Sequence, residues 1–550
     1  MKLKGPGKRT FNVLFHTHTV SGIVISFALF VIFYAGAWAL FRHDLATWEN
    51  PYLRQKINPD FSYEKAISLV DSRYKFDWYK GVSFELPKRS MPYFRITGQI
   101  PETDSTFKRV SAYIETFDYR VLENVKTKTT ASETIYHLHY FDQLPVPRLG
   151  RTLSSFVALF FLFAVVTGLI IHWKNLFTKF YAVVTEGKWK TIWTNLHTVF
   201  GVIGLPFQVM YAVTGAFFGI LFAVIPSIFL VHDGDTDLFS KVRFPERELE
   251  LNPEARVSKN ITFTESLRKL EAQYPGIQMQ YATIKNYQKE DGIITFRAQE
   301  DENLGTRGRI TMRMKNGEIL KQYSVDPSNK PYYNHVQDWI RRLHYAEFGG
   351  FLIRLLFFIL SMFTCLMIVA GVLVWRYARD NRKYTYRQRL FHHKVTKVYL
   401  AICLSMFPAV GVIYLAEKLV PPGLTDRVTI INQIFFIGWL ALTVVGCFWE
   451  SYTKQNKYYL ILGGVLVLCL PFANGITTGL WPWIAWSDFP EVAITDVSWL
   501  FMGATALLVA IRYLKVKATD RPIKDIPVKG TLNGMSNIST PELNEEIQLH

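Results

Sequence analysis

Runs of about 20 apolar residues dominate this chain, and a run of that length matches the hydrocarbon core of a bilayer. Hydrophobic residues make up 49% of the 550 and aromatic residues 15%, which is too apolar for an ordinary soluble protein of this size. The sequence therefore predicts an α-helical polytopic membrane protein with about eight spans. The runs lie at about 13–41, 149–172, 197–231, 350–375, 394–420, 428–449, 458–475 and 496–514.

Positive charge alternates between the segments that join these runs. The chain carries 62 Lys and Arg against 45 Asp and Glu. By the positive-inside rule, the basic stretches 1–12, 173–196, 376–393 and 515–550 are cytoplasmic, so both termini are on that side. The last of these stretches is typical of a mostly disordered tail. Basic residues are not interleaved with aromatic ones. We therefore expect the lipid bilayer, and no nucleic acid, as the partner of these positive charges.

Two long polar stretches, 42–148 and 232–349, are then on the outer side. In the first, a helical pattern at 57–74 precedes an alternating strand pattern at 93–100. The second repeats this order at 257–274 and 292–299. We therefore expect two small α+β modules outside the membrane, and we interpret 394–514 as an extension of four further spans.

An internal repeat extends these similarities into the membrane. HTVSGIVISFALFVIFYAG (18–36) matches HTVFGVIGLPFQVMYAVTG (197–215), with the last glycine eighteen residues after the histidine in both. HLHYFDQLPVPRLGR (137–151) matches RLHYAEFGGFLIR (342–354) through Leu-His-Tyr. The first four spans are therefore predicted to form two tandem copies related by a pseudo-two-fold axis along the membrane normal.

The repeat divides the 13 histidines of the chain. It pairs His18 with His197 at the inner face and His139 with His344 at the outer face. Hydrogen bonding to lipid headgroups is an alternative for any single histidine, but it does not predict matching positions in two copies. Two imidazoles that face each other inside an apolar helix bundle are what a b-type haem with two axial histidines requires. We therefore predict two haem b groups, an inner one and an outer one.

Neighbouring residues are second-rank candidates for the same sites. Residues two apart on a helix point about 200° away from each other, so only one histidine of His16/His18 and of His137/His139 faces the axis. Glycines beside the pairs at 22, 201, 349 and 350 would allow a flat macrocycle close to the backbone. Arginines near the outer pair are candidates to bind propionates, with snorkelling as the alternative. The second-rank residues are His16, His43, His137, His172, His392, His393, Arg148, Arg151, Arg342 and Arg354.

Other cofactor motifs are missing from the sequence. It contains no H-E-x-x-H, no P-loop and no G-x-G-x-x-G that opens a helix after a strand. Electrons would therefore come from a cytoplasmic reductase, a small donor or a quinol.

Short motifs at matching depth carry a resemblance to a known family. Leu-His occurs at 196–197 and 343–344, and glycines close helices in Thr-Gly at 167–168 and 214–215 and in Ala-Gly at 370–371. With the paired outer modules, these motifs resemble the PepSY-associated transmembrane family over about 10–380. That family includes ferric-siderophore reductases of the bacterial inner membrane. The resemblance implies a haem-dependent enzyme that reduces Fe(III) in a periplasmic ferric siderophore and releases Fe(II).

Two other classes of function are kept as alternatives. In one, the chain is a non-catalytic membrane protein whose outer modules bind or regulate a periplasmic partner. In the other it transports iron chelates, which would require polar residues at the bilayer midplane. The candidates for that role, Gln208, Asn432 and Gln433, are few and uncharged.

Overall fold

The computed structural model describes residues 5–102, 106–122, 130–146, 148–175, 187–231, 249–275, 277–300, 307–323, 332–449 and 451–513. The predicted tail at 515–550 and His232 are outside the described residues.

The two repeats and the extension have the following elements. The first repeat contains α1 (Lys8–Ala39), α2 (Arg42–Glu49), α3 (Tyr63–Tyr74), β1 (Val82–Glu85), β2 (Phe94–Pro101), β3 (Phe107–Ile114), β4 (Val121–Leu122), α4 (Ala131–Leu138) and α5 (Leu149–His172). The second contains α6 (Trp189–Ile203), α7 (Leu205–Val231), α8 (Phe263–Gln273), β5 (Ile277–Lys285), β6 (Ile293–Glu300), β7 (Arg307–Arg313), β8 (Ile319–Tyr323), α9 (Tyr332–Tyr345) and α10 (Gly350–Ala378). The extension contains α11 (Tyr386–Leu404), α12 (Met406–Leu419), α13 (Arg427–Phe448), α14 (Tyr452–Thr478), α15 (Pro482–Asp488) and α16 (Pro490–Leu508).

Seven helices of the described chain are long and apolar enough to cross a membrane, and a bent pair makes an eighth candidate. The seven are α1, α5, α10, the α11–α12 unit, α13, α14 and the helix that begins with α16. The prediction of a polytopic helical membrane protein is therefore confirmed. The α11–α12 unit begins at Tyr386, before the predicted 394, because the Thr385 hydroxyl and the Gln388 side chain form a capping box there.

The eighth candidate is the pair α6–α7, whose two parts meet at an angle of 71°. Its counterpart in the first repeat is the single helix α1. The difference follows from Pro206, which stands where the first repeat has Phe27. A proline inside a helix lacks the N–H for one backbone hydrogen bond, and its ring collides with the preceding turn.

The strands of both modules join in one antiparallel sheet of eight strands within the described residues, in the order β4-β3-β2-β1-β5-β6-β7-β8. Strands β1 and β5 connect the two halves, with Ser83 opposite Thr283. The helices α3 and α8 cover one face, where Val70 and Leu270 are fully buried against it. The sequence predicts two small α+β modules, and in the structure their strands form one shared sheet. We call the end of the helix bundle that carries it the sheet end, and the other the far end.

Candidate functional site

The four histidines that the repeat pairs in sequence also meet in space as two pairs. At the far end, His18 on α1 and His197 on α6 have ring centroids 6.1 Å apart and ring planes at 68°. At the sheet end, His139, the residue that ends α4, and His344 on α9 are 6.2 Å apart at 50°. Each pair therefore takes one imidazole from each repeat.

Backbone carbonyls of neighbouring helices orient three of these rings. In each case Nδ1 is the nitrogen that makes the hydrogen bond, so Nδ1 carries the proton and Nε2 keeps its lone pair. The acceptors are Ala164 for His18 (2.9 Å), Met367 for His197 (2.8 Å) and Ile32 for His139 (2.8 Å).

A glycine lies four residues after each of these acceptors and makes room for the ring. A Cβ at that position would crowd the imidazole, because the helix turn brings residue i+4 beside the carbonyl of residue i. The distances from such a Cβ would be 3.1 Å from Gly168 to His18 Cε1, 3.0 Å from Gly371 to His197 Nδ1, and 2.7 Å from Gly36 to His139 Nδ1.

The fourth ring is held by a side chain. His344 Nδ1 lies 2.9 Å from Thr214 Oγ1. The Thr214 hydroxyl donates its own proton to the Met210 carbonyl at 2.8 Å, so its oxygen accepts from His344. Nδ1 is therefore the protonated nitrogen in this ring as well.

This geometry suits a metal ion with two protein ligands. Two imidazoles that bind one metal from opposite sides through Nε2, at about 2 Å each, have centroids roughly 6 Å apart. A hydrogen bond from the other ring nitrogen fixes the tautomer and raises the basicity of the ligand. Among the described residues, no group of three or more His, Cys, Asp or Glu side chains is placed to hold a metal ion. A metal at either pair would have to bring its remaining ligands with it.

A cavity of about 320 Å³ contains the sheet-end pair. Its wall combines the two histidines with Gly36 and with aromatic rings such as Tyr211 and Phe218. Burial lowers the pKa of His139. Burial and the nearby His139 lower the pKa of His344 to about 3. Both rings are therefore neutral at pH 7, which is the form that binds metals.

The adjacent histidines point elsewhere. His16 is exposed on the surface of α1. His137 interacts with Glu133 at 3.5 Å and Asp142 at 3.2 Å, and its side chain is 42% exposed. The structure thus separates His18 from His16 and His139 from His137 as the repeat does.

The other second-rank histidines are outside the two pairs. His43 lines a different cavity at the sheet end. His172 ends α5. On α11, His392 packs against Trp375 with centroids 5.0 Å apart, and His393 Nδ1 lies 2.8 Å from the Tyr452 hydroxyl.

Only one of the four second-rank arginines lines the cavity with the sheet-end pair. Arg151 lies there, over the Tyr140 ring and 3.6 Å from Asp142. The other three are elsewhere. Arg148 is the exposed residue with φ 65° that precedes α5. Arg342 is buried and donates to the Glu347 carbonyl, and Arg354 forms an ion pair with Asp44 at 2.5 Å.

The glycines predicted beside the macrocycle are also in other roles. A Cβ on Gly22 or Gly350 would meet nothing within 4 Å, one on Gly201 would meet Met367 Sδ at 3.5 Å, and one on Gly349 would meet its own helix at Ile353. The glycines that contact the histidines are instead Gly168 of the first Thr-Gly motif, Gly371 of the Ala-Gly motif, and Gly36.

A buried ionic cluster that the sequence analysis missed lies between the extension and α2. The Lys418 ammonium donates to the Trp48 carbonyl at 2.6 Å and to Asn474 Oδ1 at 2.9 Å. Asp496 accepts from the Trp48 indole at 2.6 Å and from the Asn474 amide at 3.2 Å. The sequence signal that could have revealed this cluster is the presence of charged residues at 417, 418 and 496 inside otherwise apolar runs, because ionisable residues at membrane depth are energetically costly.

This cluster leads directly to the helix that carries His139. The Glu49 carboxylate accepts from the backbone N–H groups of Thr130 (2.6 Å) and Ser132 (2.8 Å), at the start of α4. Burial and the nearby Glu417 raise the pKa of Glu49. The Thr134 hydroxyl on α4 also donates to Asn432 Oδ1 at 2.6 Å. Asn432, a midplane candidate in the sequence, therefore lies against α4 at the sheet end, and the extension supports α4.

The variant Lys418→Met is expected to destabilise the protein strongly. It removes the two buried hydrogen bonds that the ammonium donates to the Trp48 carbonyl and to Asn474 Oδ1, and hydrogen bonds to a charged group contribute about 1.5–3 kcal/mol each. Thermal unfolding in detergent should show a midpoint lowered by about 5 °C or more. The matched control is Lys394→Met, which removes an exposed lysine from α11. Equal midpoints for the two variants would contradict this role of Lys418.

The family model of the PepSY-associated TM region matches residues 15–378, which include both repeats and all four paired histidines. A search of the curated proteins finds no match.

Proposed function

Since this chain belongs to the PepSY-associated TM family, we propose that it is a di-haem b oxidoreductase of a bacterial inner membrane. It passes electrons from the cytoplasmic side to a periplasmic acceptor, Fe(III) in a ferric siderophore, and releases Fe(II). The observation that carries the proposal is the presence of two histidine pairs, one at each end of the bundle, with centroids 6.1 and 6.2 Å apart.

The ligand count supports haem over a bare metal ion. Each pair offers two imidazoles, and a porphyrin provides the four other ligands of an octahedral iron. His18 and His197 would hold the far-end haem, and His139 and His344 the sheet-end haem. Bound haem supplies a one-electron couple whose potential depends on the axial ligands and their surroundings.

The contribution of the chain is to fix these ligands before any cofactor binds. The Nδ1 hydrogen bonds select the tautomer with a free Nε2, and the glycines allow each ring to approach the neighbouring helix. Aromatic side chains such as Phe218, whose ring centroid lies 5.0 Å from that of His344, form an apolar part of the wall at the sheet-end site. Arg151 is placed in the same cavity to pair with a propionate.

Charge distribution supports the orientation. The short loops at the far end are rich in lysine and arginine, as in Arg376–Arg389 and at Lys188 and Lys190. The positive-inside rule assigns such loops to the cytoplasm. The sheet and the pair His139/His344 then face the periplasm.

The proposed reaction is a single electron transfer. A ferric siderophore holds hard Fe(III) through oxygen donors, and one electron converts it to Fe(II), which those donors bind less well. The electron comes from a cytoplasmic reductase, a small donor or a quinol. The Fe–O bonds to the chelator dissociate after the reduction, and no covalent bond within the chelator has to break.

Anaerobic mixing tests the reaction. Protein reduced with dithionite and then freed of it is mixed with a ferric trihydroxamate chelate in the presence of a ferrous-iron chelator. We expect the reduced haem spectrum to disappear and one Fe(II) to be trapped per electron. The gallium(III) chelate, which has a similar charge and size and is not reduced, is the control and should leave the protein reduced. Protein that stays reduced with the iron chelate but is oxidised by air would contradict the proposed substrate.

A further inference from the structure

A second cavity, of about 560 Å³, lies at the sheet end on the other side of α1. It is bounded by α1, α2, α10 and α16 and by the turn between β1 and β2. Trp38 and Phe41 line it, whereas Gly36, Ala39 and Leu40 line the cavity of the histidine pair. One helix therefore separates the two cavities, a distance of roughly 10 Å.

The inner wall of this cavity is apolar and aromatic. Trp38 packs against Trp499 with centroids 5.3 Å apart and against Phe358 at 5.4 Å. Side chains on its other walls, Phe351 and Leu355 on α10, are each 38% exposed. A ligand that packs against this wall has a large apolar part, as molecules dissolved in the bilayer do.

The charges at the mouth are already paired with one another. Three cations line it, and each has a carboxylate partner within the described residues. The pairs are Arg354 with Asp44 at 2.5 Å, Arg89 with Glu491 at 2.6 Å and Lys88 with Glu85 at 3.1 Å. A phosphate headgroup would have to break such a pair, so the mouth favours an uncharged polar head.

His43 is an uncharged hydrogen-bonding group at this mouth, beside hydroxyl side chains such as that of Ser90. Within the part of the chain that the structure describes, its ring has no hydrogen-bond partner, and the imidazole lines the cavity. Burial and the nearby Arg42 and Lys88 lower the pKa of His43, so the ring is neutral at pH 7. A neutral imidazole both donates and accepts, which suits a hydroxyl or a carbonyl of the ligand.

We propose that this cavity binds a lipid-soluble quinol from the bilayer and that the quinol is the electron donor. The chemistry that recognises it is an uncharged, planar head with hydroxyl groups on an apolar tail. The inference rests on the haem reductase of the proposed function, but it moves the entry of the electrons from the cytoplasmic side to the sheet end. Two histidine pairs then provide two one-electron sites, which equals the number of electrons that a quinol gives.

In the donor step, the quinol loses two electrons and two protons and becomes the quinone. One proton passes from a ring hydroxyl to His43, and the other leaves through the mouth to water. The electrons cross α1 one at a time towards the sheet-end pair, and each finally reduces one Fe(III) to Fe(II).

Quinone binding to the purified full-length protein tests the site without any turnover. Decylubiquinone is titrated into the protein in detergent while tryptophan fluorescence is recorded, since Trp38 and Trp499 line the cavity. We expect saturable quenching. Ser498→Phe, which fills the cavity from α16, should raise the Kd about tenfold or more, and the neighbouring lipid-facing Val497→Phe should leave it within about twofold. Under anaerobic conditions, decylubiquinol should reduce the haem of the wild-type protein and of Val497→Phe.

The titration has outcomes that would overturn the quinol site. Quenching that never saturates, or the same Kd in Ser498→Phe as in wild type, overturns the quinol site. If Ser498→Phe fails to fold, His43→Leu takes its place with the same expected tenfold change. Protein with a dithionite-reducible haem spectrum but no saturable quenching refutes this inference and leaves the proposed function standing. Saturable quenching in protein that cannot bind haem refutes the proposed function and, with it, the donor role.

Discussion

Replacing His139 by alanine is expected to remove one of two haem groups and leave the other in place. Each site needs both imidazoles, and those of the sheet-end pair come from α4 and α9. The haem content per protein should fall by half, and a redox titration should lose one of its two components. His344→Ala should lose the same component, whereas His18→Ala and His197→Ala should both lose the other one.

The chain contains matched controls two residues away. His137→Ala and His16→Ala remove histidines of the same helices that point away from the pairs. Both variants should keep the full haem content and both components. Loss of different components from His139→Ala and His344→Ala would show that the pairing is wrong, even if haem is present.

An isopropyl group at Gly36 should have nearly the same effect as removing His139. In Gly36→Val, the new Cβ would lie 2.7 Å from His139 Nδ1, where the ring now donates to the Ile32 carbonyl. The ring must move, and the lost hydrogen bond alone costs about 1–3 kcal/mol. We expect loss of the sheet-end haem and retention of the other. Gly371→Val should show the opposite selectivity, because its Cβ would lie 3.0 Å from His197 Nδ1.

Gly22→Val is the control for these variants. It introduces the same side chain on α1, where a Cβ would meet nothing within 4 Å. Both haems should remain, as measured by haem content and redox titration. Equal haem content in Gly36→Val and Gly22→Val would contradict the role of the glycines.

The histidine pairs could be predicted from the sequence because the internal repeat aligns each position of one copy with one position of the other. His18 and His197 occupy equivalent positions in two copies, and a pseudo-two-fold axis brings equivalent positions together. The same comparison separates His18 from His16. The family itself was predicted from Leu-His and Thr-Gly motifs, and it is confirmed over 15–378.

What the sequence did not reveal are contacts between distant elements. The glycine at 36 touches His139 only because α4 folds back onto α1, and no local pattern records that approach. Lys418 meets Trp48 across 370 positions of the chain. The joining of the modules depends on the pairing of β1 with β5, whose edges have no signature distinct from those of other strands.

The most direct test of the two predicted haem groups is the absorption spectrum of the purified protein before and after reduction with dithionite. The protein is expressed in haem-replete cells and purified in detergent. We predict a Soret band in the oxidised protein and, after reduction, the sharp α band of low-spin b-type haem, with two haems per chain. Colourless protein that is folded and takes up no added haem would contradict the account, and would favour a membrane protein whose outer sheet binds or regulates a partner.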